Sequence, residues 1–392
     1  MRNVAIFVVF FSVSVGFYSV SSGVEEEQWL SYRTSPEAYR VVGNMTMRRL
    51  EVITDKPEQV ELPEFKGDSP LFAKWESPMV KGGFLWVVLD REHKYGSYDR
   101  IVIDSNGDGH LNDEKFIASH RIESRYSYFG PAPVYFEGED GPITYHLNFR
   151  LYYREDYKYL YVSSGGWYEG TIRLGEEKMH CTLIDYNGDG EFNDSSQSAA
   201  ASDRIRVGKT EHAPVRYVGK YLEIDGVLYR PTIARDGAFL TISKADDVEF
   251  GSIRVPGEIT ELTAGGLNGL LTVTLENGVG KLPVGQYRLD HWEIDRKDDN
   301  DRNWTMRGSR FGKEGDFEVS QDSSFPLAIG EPVLANLEVQ KTDTKYSFNH
   351  QMRGQLNERI EILQNGSRAQ APKLQIVNGD QTYNRTFQLE YG

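Results

Sequence analysis

A ten-residue pattern that occurs twice constrains this chain more than any other feature. Asp104-Ser-Asn106-Gly-Asp108-Gly109-His110-Leu-Asn112-Asp113 is matched by Asp185-Tyr-Asn187-Gly-Asp189-Gly190-Glu191-Phe-Asn193-Asp194. Each copy follows a short apolar run, at 101–103 and at 183–184. A hairpin turn of the Asn-Gly or Asp-Gly kind needs one Gly and one Asn or Asp. It does not need further carboxylates and amides at fixed offsets, which repel one another unless a cation sits among them. The duplicated pattern predicts two metal-binding loops.

The ligand spacing points to calcium. This hard cation takes six to eight oxygen ligands, and a short loop delivers them when alternate residues point inward. Positions one, three and five are Asp104, Asn106 and Asp108 in one copy, and Asp185, Asn187 and Asp189 in the other. Gly109 and Gly190 fill position six, where the chain turns sharply. His110 and Glu191 offer a backbone carbonyl at position seven. Asn112 and Asn193 ligate at position nine, directly or through water. So far each copy resembles the first nine positions of an EF-hand loop. Position twelve, a bidentate Glu in that loop, is Lys115 here in the first copy and Ser196 in the second. Asp113 and Asp194 are the nearest acidic substitutes. The flanks read as strands, not as the helices of an EF-hand. The expectation is two strand-end calcium loops that share only their ligand spacing with that family.

The first residues have the composition of an export signal. Arg2 is a short positive lead, 4–17 is apolar, and Ser19-Val20-Ser21 supplies small residues for cleavage. Residues 1–22 are expected to be removed, leaving no membrane span and a protein exported to the periplasm, the cell surface or the medium. Cys181 is the single cysteine, so no intramolecular disulfide can brace the exported fold. Its place on an alternating strand reads as a small buried hydrophobe. A formal net charge of −15 argues against nucleic acid and anionic membrane as partners.

The remaining pattern is β. Residues 23–63 carry no clear period and read as a lead-in, with a strand or two inside 39–52. Residues 64–250 read as a β domain holding both loops. Its signals include the apolar run 84–89, hairpins across 145–162, and an Asp-Gly turn inside 221–229. Residues 251–392 read as a β-sandwich-like domain. There 282–289 resembles the Pro-x-Gly-x-Tyr strand entry of carboxypeptidase-regulatory and transthyretin-like sandwiches. The acidic stretch 295–303, with Asp299, Asp301 and Asn303 at alternate positions before Trp304, reads as a solvated loop or a third cation site. Taken whole, the layout is similar to exported bacterial β proteins that carry this loop twice before a sandwich tail ending in Glu-Tyr-Gly, as at 390–392. That resemblance implies an architecture and no activity.

No familiar catalytic constellation is present: no His-Glu-x-x-His, no Gly-x-Ser-x-Gly and no phosphate-cradling Gly-rich loop. His180 and His212 are the best placed of eight histidines and read as hydrogen-bonded structural residues. Tyr153, Tyr157, Tyr159, Tyr161, Trp167 and Tyr168 fall on neighbouring strands. They read as ordinary strand aromatics, or as rings that stack on sugars. The sequence therefore predicts an exported calcium-binding β protein with a structural, adhesive or binding role, its partner an extracellular glycan or a cell-surface protein. The alternative is a secreted polysaccharide-active hydrolase or carbohydrate-binding protein with structural calcium.

Overall fold

The computed structural model describes residues 26–43, 47–58, 60–93, 96–138 and 141–391. The expected signal segment, 1–22, lies outside them. Within them the fold is mainly β, interrupted by three short 3-10 turns, Ala38–Arg40, Ala199–Ala201 and Lys313–Gly315. No helix among the described residues is long and apolar enough to cross a membrane.

Strand alternation accounts for the first sheet, in which Val52–Ile53, Leu71–Glu76, Phe84–Asp90, Arg100–Ile103 and Ile117–Ala118 lie side by side, antiparallel. Leu71, Ala73, Trp75, Leu85, Val87 and Ile101 point one way, into the largest core. Phe72, Val88 and Val102 point the other way and pack with Leu111 under Val60, Leu62 and Phe65. A sheet covered on both faces needs apolar residues on both. That is why 84–89 is apolar without alternation.

Two more five-stranded sheets and a four-stranded one enclose the same core, which runs from Leu50 to Leu240. The lead-in, without a clear period as sequence, supplies through its described strands between 28 and 53 an edge to each of the four. Gln28–Trp29 pairs with Phe239–Lys244, and Ser31–Thr34 with Gly166–Leu174. Arg48–Leu50 pairs with Tyr157–Ser164, and Val52–Ile53 with Leu71–Glu76. Strands of two to four residues are held by backbone hydrogen bonds at sheet edges, and so leave no periodic side-chain pattern to read.

A second core lies between Ile253 and Ile360, centred on Trp292, Tyr287, Leu262 and Leu282. Its main sheet includes Glu261–Gly266, Gly285–Lys297, Asn303–Ser309 and Arg359–Gln364. Gly308 is required there, since a Cβ would lie 2.3 Å from the Trp292 ring. At the sandwich-like strand entry, Tyr287 is fully buried and its hydroxyl donates to the Pro283 carbonyl at 2.7 Å. The two halves meet through hydrogen bonds from the Lys220 N–H to the Leu267 carbonyl, 2.9 Å, and from the Tyr217 hydroxyl to Asp290, 2.5 Å.

Candidate metal centre

Each repeated loop closes an antiparallel hairpin. Beyond the first, Ile117–Ala118 returns against Arg100–Ile103. Beyond the second, Arg204–Gly208 returns against Glu177–Ile184. The equivalent position of the two loops ends there, because their side chains are arranged differently.

The second loop is wound around a fully buried Asp185. Asp185 Oδ1 accepts the Gly188 N–H at 2.5 Å, and Oδ2 accepts the Gly190 N–H and the Tyr145 hydroxyl, both at 2.7 Å. Gly190 sits at φ +102°, and a Cβ there would come within 3.0 Å of both the Phe136 ring and Ser77 Oγ. Glycine is the residue that fits both demands. This winding brings together one carboxylate oxygen from each of Asp189, Glu191 and Asp194, all within 4.8 Å of one another. Asn187 stands beside them. Its Nδ2 donates to Asp189 Oδ2 at 3.2 Å and to Asp194 Oδ2 at 2.7 Å, and its Oδ1 accepts the Asp189 N–H at 3.0 Å. Glu191 contributes its carboxylate, where only a backbone carbonyl was expected, and also pairs with Arg235. Asn193 is exposed. This half-buried, all-oxygen acidic cluster can hold a metal ion.

Besides Tyr145, Asp203 and Trp75 lie outside the repeat and build this loop, and no spacing rule finds them. Asp203, fully buried, accepts the Tyr186 N–H on Oδ1 and the Asp194 N–H on Oδ2, both at 2.9 Å. Its own N–H returns to the Asp194 carbonyl at 3.0 Å, so the excursion 195–202 is clasped at its base. Trp75 belongs to a strand of the first sheet. Its indole Nε1 donates to the Gly188 carbonyl at 2.8 Å, and its ring stacks on Tyr145 at 6.0 Å. The core thus touches the loop directly. Burial, and then the charge of Asp189, push the Asp185 carboxyl up to about 7 and that of Asp194 up to about 6. Burial, and then Asp185, push Asp203 up as well. Acid is concentrated here with too little positive charge to balance it.

The first loop closes on itself instead. Asp104 accepts the Asp108 and Gly109 N–H groups, both at 3.1 Å, and Asp108 accepts the His110 N–H at 2.8 Å. Asn106 Nδ2 donates to Asp108 Oδ2 at 2.8 Å. The side chains at positions seven and nine both go to Glu61: His110 Nδ1 lies 3.2 Å from its Oε2, and Asn112 Nδ2 lies 3.0 Å from the same atom. Glu61 also pairs with His110 through the backbone. Glu114 accepts the Ser105 N–H at 2.6 Å, and Asp113 is exposed. Among the described residues, the Asp189, Glu191 and Asp194 group is the one in which three acidic or imidazole ligands converge.

The other residues singled out by sequence fall as follows. Cys181 is buried in the main core. His180 Nε2 lies 3.2 Å from Thr182 Oγ1, and His212 is exposed beside Glu211. In the acidic stretch the organising residue is Asp298. It accepts the Trp304 indole N–H, the Asn300 and Arg302 N–H groups and the Arg302 guanidinium. The aromatic set divides. Tyr168 is buried and Tyr153 packs on the core, whereas Tyr159 lies on the outer face of its sheet. There Tyr126, Tyr152 and Tyr159 stand directly opposite one another across three strands, with the Arg49 guanidinium 4.1 Å from the Tyr159 ring.

Comparison of the chain with family models, with curated proteins and with solved structures returned no match.

Proposed function

We propose that this chain is an exported β protein that binds calcium at its second loop, where the ion fixes strand ends that no disulfide can brace. Its role on this reading is structural, adhesive or ligand-binding. The observation that carries the reading is the convergence of the Asp189, Glu191 and Asp194 carboxylates beside the Asn187 amide. An all-oxygen donor set suits a hard cation. Asn187 supports the fit: its amide hydrogens now bridge carboxylates that would otherwise repel. Turned over, the same amide offers Oδ1 at the third position of the calcium-loop pattern. Bound calcium would supply charge balance and cross-linking, with no part in bond chemistry.

The first loop ranks second on this reading, because His110 and Asn112 must release Glu61 before they can contribute. The hydrolase reading calls for an acid held protonated in an open cleft. Of the raised acids, Asp185 and Asp203 are enclosed and hold loop backbone, and the half-buried Asp194 is held among the other carboxylates of the loop and the Asn187 amide.

The test is a calcium titration by calorimetry on protein stripped with EDTA. Wild type should bind with a Kd of about 10⁻⁴–10⁻³ M, as extracellular modules do. D189N/D194N should lose that site while keeping the wild-type circular dichroism spectrum. Equal binding by the variant and the wild type would overturn the assignment.

A further inference from the structure

The outer face of the second-half sheet forms one wall of a cleft of about 790 Å³, closed on the other side by 197–200 and Tyr217. The strand register sets what lines it. On Gly285–Lys297, Asn303–Ser309 and Arg359–Gln364, the residues Trp292, Gly308 and Ile360 stand in one row and serve the core. The rows on either side carry Glu293, Arg307 and Glu361, and His291, Ser309 and Arg359.

The carboxylates of the lining are all engaged. Glu361 pairs with Arg368, and Glu261 with His291 Nε2 at 2.9 Å. Asp290 accepts the Tyr217 and Thr263 hydroxyls and faces His291 Nδ1 at 3.3 Å. Arg307 pairs with Glu293, and Arg288 with Asp316. Arg310 and Arg359 are left over. They line the same cleft, and among the described residues no carboxylate lies within ion-pair distance of either. Arg310 follows the strand Asn303–Ser309 at φ +59°, a left-handed conformation uncommon for a residue with a Cβ. Two unpaired guanidiniums in one concavity run against the charge of a chain at −15. Phe311 and Tyr217 supply flat apolar wall beside them.

We propose that this cleft binds an anionic ligand through Arg310 and Arg359, its class a carboxylate-bearing molecule up to about the size of a disaccharide. Guanidinium forks match carboxylate geometry, and the volume lies within the range of small-ligand sites. The proposal does not rest on the calcium reading, although the wall 197–200 belongs to the excursion clasped by the second loop, and titration with and without calcium separates the two.

The test is calorimetric titration of the full-length chain at low ionic strength, in EDTA and again in calcium. The probes are digalacturonate, citrate and neutral cellobiose. Wild type should bind at least one of the two anions and not cellobiose, and raised salt should weaken the binding. R310A/R359A should bind at least tenfold more weakly, since each charge-assisted contact contributes on that order. R310K/R359K should recover part of the affinity. Neither arginine has a carboxylate partner, so both variants should keep the wild-type melting temperature, which separates lost binding from lost folding. Tighter binding of digalacturonate than of citrate assigns the site to acidic sugars. Equal binding assigns it to carboxylates in general. Absence of anion binding up to millimolar concentration, or equal binding by R310A/R359A, overturns the proposal.

Discussion

At the scale of single residues, the second loop depends on side chains far away in sequence. Trp75 is the clearest case: it is fully buried, and its one polar atom holds the Gly188 carbonyl. Trp75→Phe keeps most of the ring stacking but leaves a buried acceptor without its donor. It should cost about 1–3 kcal/mol, read as a lower melting temperature. Trp75→Ala should cost about 3–5 kcal/mol, through the cavity as well. An unchanged melting temperature for Trp75→Phe would mean that the indole contact contributes nothing. The repeated pattern made Asp189, Glu191 and Asp194 legible as candidate ligands, Glu191 by its carbonyl and not by the carboxylate that joins the cluster, because ligand spacing is local. Trp75, Asp203 and Glu61 were not legible, because their roles arise only when separate strands are brought together.

At the scale of elements, the strand Gly285–Lys297 shows how register builds a charged site. Its pairing with Glu261–Gly266 shifts between Thr263 and Ala264, so Thr263 faces His291 while Ala264 faces Leu289, and Asp290 is left unpaired beside the cleft. Hydrogen bonding to Asp290 raises the His291 pKa despite burial, and Glu261 adds to the effect. A histidine with a raised folded pKa contributes stability that is fully present below its unfolded value of about 6.5. That stability is lost as pH rises through the folded value. Unfolding free energy measured from pH 5.5 to 8.5 should therefore fall above about 6.5 in wild type, and the fall should be smaller in His291→Gln. Identical pH profiles would show that this cluster does not couple to folding. Burial alone would push Asp290 up, but hydrogen bonds from His291 and Tyr217 outweigh it and hold its carboxyl below the usual range. The strands at 84–90 and across 145–162 were readable from apolar runs and alternation, whereas Tyr126–Gly138, Leu334–Thr342 and Lys345–Arg353 were not singled out. Of the short edge strands, those at 48–50 and 52–53 answer to the strand or two expected inside 39–52, while Gln28–Trp29 and Ser31–Thr34 were not legible, since backbone pairing selects no particular side chain.

At the scale of the whole molecule, two apolar cores, one running from Leu50 to Leu240 and the other from Ile253 to Ile360, join through polar contacts and through Leu228, which packs on the second. The loop that gathers the acid clasps an excursion, 195–202, that reaches this junction: Gln197 Nε2 donates to the Tyr287 carbonyl at 3.3 Å. Composition identified the class, since Tyr-rich strands and Gly turns predict β structure. It did not reveal that four short strands between 28 and 53 join four different sheets, because which edges remain open is a property of the finished fold. The central claim is that an ion at the second loop stabilises this fold. Thermal unfolding of the chain should be compared in roughly millimolar calcium and in EDTA, beside D189N/D194N. A Kd about ten times below the calcium concentration stabilises by about 1.4 kcal/mol, which is a rise of roughly 3–6 °C for a domain of this size. The account predicts that rise in wild type and its absence in the variant. The same melting temperature with and without calcium in the wild type would contradict it.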